Sequence, residues 1–150
     1  MSRLTPEMLS YVGRRRTPVM ELATRREIRK YSIATRQREK KYLDGLEAPP
    51  LFYIALFWDV VSLDDMNPDG VTIEPLVPDL PYPRAMAGGV KTRYFQPIRA
   101  GDYLVAERTL TALYEKAGRS GPLCFYEITL DVKNDYGAPV LVEKTTRILR

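Results

Sequence analysis

Residues 49–63, PPLFYIALFWDVVSL, decide how this chain is read. Two prolines open the segment, apolar side chains follow almost all round, and Asp64–Asp65 closes it. Proline suits a first helical turn, where its missing N–H costs nothing. A helix that is apolar on every side belongs in a core. The pattern therefore predicts a central, buried helix of about a dozen residues. The run is too short, and with Asp59 too polar, to cross a bilayer, which takes about 20 apolar residues.

Outward from this segment the pattern changes twice. Proline recurs at 68, 75, 78, 81 and 83, so Asn67–Pro83 reads as a long loop. From Ala87 onward the chain reads as strands: GGVKTRYFQPI, then DYLVAERTLTALYEK, then PLCFYEITLDVKN, then VLVEKTTRILR. The turns RAGD, AGRSG and DYGAP separate them. Upstream, Thr5-Pro6-Glu7 starts a short helix that ends near Gly13. TPVMELA can extend as a strand, and Thr24 with Glu27 has capping-box spacing. Ile28, Tyr31 and Thr35 continue that helix, which should fade near Gln37 to Glu39. Long antiparallel strands behind one buried helix make the class α+β: a curved antiparallel sheet wrapped around a central hydrophobic helix, one domain over residues 1–150.

Composition narrows the function classes. Hydrophobic content is 45% and charged content 28%, as in a soluble globular protein. The one cysteine, Cys124, allows no internal disulfide and fits a cytoplasmic location. It lies among apolar strand neighbours and reads as core. MSRLTPEMLS has no apolar signal-peptide core. The net charge of +4 is concentrated early, at Arg14–Arg16, Arg25, Arg26, Arg36, Arg38, Lys40 and Lys41. Such a region can attract an anionic ligand, such as a coenzyme A phosphate. No zinc-finger spacing, basic zipper or aromatic RNA-binding signature accompanies it, so neither nucleic acid nor membrane is an expected partner. No metal site is expected either.

Four pieces of sequence then carry a resemblance: TRREIRKYSIAT, EAPPLF, RAMAGG, and YFQPIRAGDYL with YEKAGRSGPLCFYEI behind it. In this order, from about Gly13 to Arg150, the chain resembles the hot-dog fold. Within that fold it is similar to the MaoC-like, fungal-fatty-acid-synthase-type dehydratase N-terminal domain. Catalytic members of the wider group carry a motif close to A-T-G-D-x-N-P-x-H after the first long helix. Its Asp and His handle the proton and the water that add to, or leave, an enoyl thioester. Such chemistry needs a group poised near neutral pH.

Laid on that motif, Ala34 and Thr35 match. Arg36 stands at the Gly, Gln37 at the Asp and Tyr42 at the His. Gln does not titrate, Tyr has a reference pKa of about 10, and the chain has no histidine at all. No residue is assigned as catalytic; Glu47, Tyr42 and Gln37 remain candidates. Asp102 reads as a turn residue. The resemblance also implies backbone donors at the start of the central helix, and Pro49-Pro50 removes some of them. It implies a first half of a double hot-dog chain, or a separate subunit, that shapes the acyl and coenzyme A site for a His- and Asp-bearing MaoC-type partner.

Gly88 and Gly89 permit close backbone approach. With Arg84, Lys91 and Arg93 around them, they are the coenzyme A candidates. Phe52, Phe57 and Trp58 are the candidates for an acyl pocket. The thioester is substrate, and no other cofactor is implied. The first reading is therefore a hydratase/dehydratase subunit, inactive alone and paired in a homodimer or heteromer. The alternatives are a self-sufficient homodimeric hydratase or thioesterase, and an acyl-CoA-binding protein without catalysis.

Overall fold

One antiparallel sheet organises the chain, in a computed structural model that describes residues 2–68 and 70–150. Its strands are β1 (Val19–Leu22), β2 (Ala85–Tyr94), β3 (Tyr103–Gly118), β4 (Gly121–Asn134) and β5 (Pro139–Leu149). The order across the sheet is β1-β3-β4-β5-β2. Turn chemistry sets the register. Gly118 faces Gly121 across the tight β3–β4 hairpin. In the β4–β5 turn, Asn134 Oδ1 accepts from the N–H groups of Tyr136 (3.1 Å) and Ala138 (2.8 Å).

Among the described residues four α-helices lie outside the sheet: α1 (Pro6–Leu9), α2 (Arg25–Ala34), α3 (Lys40–Leu43) and α4 (Phe52–Phe57). α2 begins as its capping box predicts: Thr24 Oγ1 accepts from Glu27 N–H, and the Glu27 carboxylate accepts from Thr24 N–H. The strands alternate, so one face of the sheet collects Leu104, Ala106, Leu130, Val132 and Leu141. Phe52, Tyr53 and Phe57 of α4 pack onto that concave face. At its other end, the N-terminal segment and the proline-rich loop bring Leu4, Leu76 and Tyr82 down on Leu110, Leu113, Cys124 and Leu149.

The central helix is half the length its sequence predicts. It stops at Phe57, and Trp58 is already extended, at φ −65° and ψ 135°. Ion pairing outweighs local apolarity there. Asp59 turns away and accepts two hydrogen bonds from Arg16, at 2.8 and 3.1 Å. Arg108 stands 3.9 Å from the same carboxylate and donates to the Phe57 carbonyl at 2.6 Å, capping the last turn from strand β3. Val60 and Val61 follow outside the helix.

The Arg16 hydrogen bond and charge hold the Asp59 carboxyl below its ordinary range, against the opposing effect of burial. A depressed carboxylate contributes stability above its unfolded pKa of about 3.9 and loses it as pH falls through the lower folded value. Asp59→Asn should cost about 1–2 kcal/mol near neutral pH, discounted from a fully buried pair for its partial exposure. Urea denaturation at pH 7 and pH 3 checks this. The gap between the two proteins should narrow in acid.

Candidate functional site

The passage from α2 to α4 carries the catalytic candidates Gln37, Tyr42 and Glu47. α2 ends at Thr35, whose hydroxyl donates to the Tyr31 carbonyl at 2.8 Å. Arg36 then takes φ 56°, a left-handed conformation that glycine adopts without strain. It is the only non-glycine residue in that region among those described, and it is the residue that the resemblance sets at the motif's Gly. Gln37 is half-buried; its N–H reaches the Ser32 carbonyl and its amide donates to Thr35 Oγ1 at 3.2 Å. Tyr42, on the short helix α3, is buried with Lys41 above its ring.

The loop after α3 is held by a close approach at Gly45, with φ +70°. A Cβ there would lie 2.5 Å from the Arg25 carbonyl oxygen and 2.6 Å from Arg29 Cγ. Arg25 and Arg29 in turn donate to the carbonyls of Asp44 (2.7 Å) and Leu43 (3.2 Å). Gly45→Ala combines a left-handed backbone with a backbone clash, and should destabilise by about 2–4 kcal/mol. A loss under about 1 kcal/mol in chemical denaturation would contradict this packing.

Two of the three catalytic candidates meet. Tyr42 and Glu47 line a cavity of about 280 Å³ with Pro49, Pro50, Tyr94, Phe95 and Ile98, and Gln37 stands outside it. Glu47 is already engaged, accepting from Lys41 Nζ at 2.9 Å. The helix start offers few donors. Pro49 and Pro50 have no N–H, Phe52 N–H is used by the Pro49 carbonyl, and Ile54 N–H by that of Leu51. Asp102 accepts from Arg99 N–H at 2.8 Å and closes a turn.

The coenzyme A candidates fall together on β2, an edge strand exposed along its length. Arg84 precedes it and exchanges two backbone hydrogen bonds with Arg150. Gly88 and Gly89 form a bulge against β5. The close approach that Gly88 permits is to the chain's own strand, since a Cβ there would lie 2.9 Å from the Thr146 carbonyl oxygen. Thr92 points to the concave face, where its hydroxyl is 3.0 Å from that of Tyr53. Lys91 and Arg93 therefore share the opposite face. Lys144 stands beside Lys91 on β5 and is paired with Glu127 at 3.3 Å.

The acyl-pocket candidates separate. Phe52 is 1% exposed and packs edge-on against Tyr31 at 5.6 Å, inside the core. Phe57 and Trp58 line a second cavity, about 240 Å³, between the end of α4, the proline-rich loop and the middle of the concave face. Its floor is polar. Tyr53 and Thr145 hydroxyls both donate to the Glu143 carboxylate, the latter at 2.7 Å, and Arg147 and Arg108 stand on the same face. Burial and Glu143 together push the Tyr53 phenol far above its ordinary value. Burial also raises Tyr126, opposed by the Arg147 guanidinium beside it.

The sequence reading missed this cluster. Its signal was the polar alternation Glu143, Thr145, Arg147 between two buried leucines, Leu141 and Leu149, on a face that is otherwise apolar. Cys124 is fully buried, and burial pushes its thiol up to about 11, away from nucleophilic use. Among the described residues, no group of His, Cys, Asp or Glu could hold a metal ion, and no helix is long and apolar enough to cross a membrane.

A concave antiparallel sheet closed over one hydrophobic helix is the hot-dog class. Within it, residues 10–143 match the FAS1-like, dehydratase domain region, and the chain belongs to that family. It is 32% identical over 81 residues to the mesaconyl-C(4)-CoA hydratase of Chloroflexus aurantiacus, a match spanning 53% of this chain but only 29% of that protein. The C-terminally truncated HadBC (3R-hydroxyacyl-ACP dehydratase) complex of Mycobacterium tuberculosis superposes with a TM-score of 0.62 at 20% identity, over 92% of this chain and 96% of that one. The ChsH1–ChsH2 complex of the same organism gives a TM-score of 0.70 at 14% identity, covering 95% and 86%. At these identities the structural likeness is one of fold. The chain is thus a hot-dog member of the FAS1-like dehydratase-region family.

Proposed function

We propose that this chain is a subunit of an enoyl-CoA hydratase/dehydratase, inactive by itself, that shapes the acyl and coenzyme A site for a His- and Asp-bearing MaoC-type partner in the cytoplasm. One observation carries the reading. Arg36, which the resemblance sets at the motif's glycine, takes a left-handed backbone, while Gln37 and Tyr42 are set by the same resemblance where its acid and base would be. Such a passage offers a turn and no titrating pair. The exposed edge strand β2, unpaired on one side, supports assembly into a homodimer or heteromer. Lys91, Arg93 and Arg84 are the residues proposed to meet coenzyme A phosphates, through charge-assisted hydrogen bonds. Phe57 and Trp58 are proposed to meet the acyl chain. The test is hydration of an enoyl-CoA by the chain alone and by its mixture with such a partner. Activity confined to the mixture is expected, and full activity in the chain alone overturns the proposal.

A second reading, a self-sufficient hydratase or thioesterase, is favoured by one observation: Tyr42 and Glu47 share a cavity. Against it, the Glu47 carboxylate is tied to Lys41.

A further inference from the structure

The short central helix leaves the middle of the concave face to a cavity, and the side chains there are not those of an alkyl tunnel. β5 contributes Glu143, Thr145 and Arg147, β4 contributes Tyr126, and β3 contributes Arg108, all on the face that elsewhere buries leucine and valine. The anionic groups in this lining have partners. Asp59 is held by Arg16 and Arg108. Glu143 accepts from Tyr53 and Thr145. Glu74 accepts from Leu76 N–H at 3.2 Å. Arg108 is committed to the Phe57 carbonyl and to Asp59. Arg147 differs: among the described residues no carboxylate lies within ion-pair distance of it, and the Tyr126 phenol is its neighbour.

We infer that this cavity takes an acyl group bearing a carboxylate remote from the thioester, with Arg147 as its partner. A half-buried guanidinium with no anion gains most from a planar, two-oxygen acceptor. A plain alkyl chain in the same place would strip water from Arg147, Glu143 and Thr145 and return no hydrogen bond. The side of the cavity nearest α4 remains apolar, with Phe57, Ile54 and Trp58 for the methylenes. This rests on the acyl-thioester reading above and adds the class of acyl group.

Trp58 is the chain's one tryptophan and lines the cavity, so its fluorescence reports occupancy directly. Hexanoyl-CoA and adipoyl-CoA have acyl chains of the same length and differ in a terminal carboxylate. Titrated into the full chain, adipoyl-CoA should bind at least ~10-fold more tightly, the scale of one added charge-assisted contact. Arg147→Gln should bring the two ligands within about 2-fold of each other, and Arg147→Lys should keep part of the preference; circular dichroism confirms that both variants fold. Binding of both ligands with equal affinity in the parent, or an unchanged preference in Arg147→Gln, overturns the inference and leaves the acyl-CoA reading standing. Binding of neither ligand, by the chain alone or mixed with a MaoC-type partner, overturns both.

Discussion

Purified alone, this chain should hydrate crotonyl-CoA at least ~10³-fold more slowly than the enzyme median of about 10 s⁻¹. The expectation follows from what the reaction needs. Water must lose a proton as it attacks the β-carbon, and the α-carbon must gain one. A positioned acid or base contributes about 10²–10⁴-fold for such a transfer when its pKa lies near the working pH. The chain has no histidine. Gln37 cannot titrate, and its amide is turned onto Thr35. Glu47 is paired with Lys41, and Tyr42 is buried beneath that same ammonium group. Glu47→Gln and Tyr42→Phe should therefore leave any trace rate unchanged within about 2-fold, since Glu47 is tied to Lys41 and Tyr42 is packed beneath it. Turnover near the median, with a collapse in either variant, would make that residue the acting base and the chain self-sufficient.

Phe52→Ala should lower stability by about 3–5 kcal/mol, the range for removing a buried aromatic side chain. Phe52 is 1% exposed and opens the one helix on the concave face. It belongs to the main core cluster and meets Tyr31 edge-on, a geometry worth about 0.5–1.5 kcal/mol beyond area. Trp58, just past the end of the helix and lining the second cavity, is 57% exposed, and Trp58→Ala should cost under about 1 kcal/mol. Chemical denaturation of the two variants separates a core residue from a ligand-facing one. A Phe52→Ala loss below about 1 kcal/mol would return Phe52 to the list of cavity residues.

Much of the fold was legible where local chemistry decides it. The Thr24–Glu27 box, the Gly118–Gly121 hairpin and the Asn134 turn each act within a few residues, and the structure has all three. The sheet followed from alternation between them. The length of α4 was not legible, because it is set from far along the chain. Arg16 and Arg108 reach Asp59 and the Phe57 carbonyl from other elements, and an apolar run gives no sign of that. α3 was missed for the opposite reason: KKYL has no side-chain cap and little apolar periodicity, and tertiary contacts hold it.

The site was legible in its losses and less so in its gains. The absence of histidine and the Gln37 and Tyr42 substitutions can be read directly from the residues. That Arg36 would take a left-handed backbone cannot, since nothing about arginine favours a positive φ. Gly88-Gly89 drew attention as a ligand approach, whereas its closest neighbour is strand β5. The Glu143–Thr145–Arg147 stripe was present as a period-two pattern, but only the shortened helix turns that stripe into a cavity floor.

The most direct test of the account is reconstitution. A MaoC-type chain carrying D-x-N-P-x-H is titrated with this one while crotonyl-CoA hydration is followed by the loss of enoyl-thioester absorbance, and light scattering reports assembly. The account predicts activity that rises to a plateau at a fixed ratio of the two chains, is absent from this chain alone, and is lost when the partner's motif His is replaced. A rate from this chain alone that matches the mixture would contradict it.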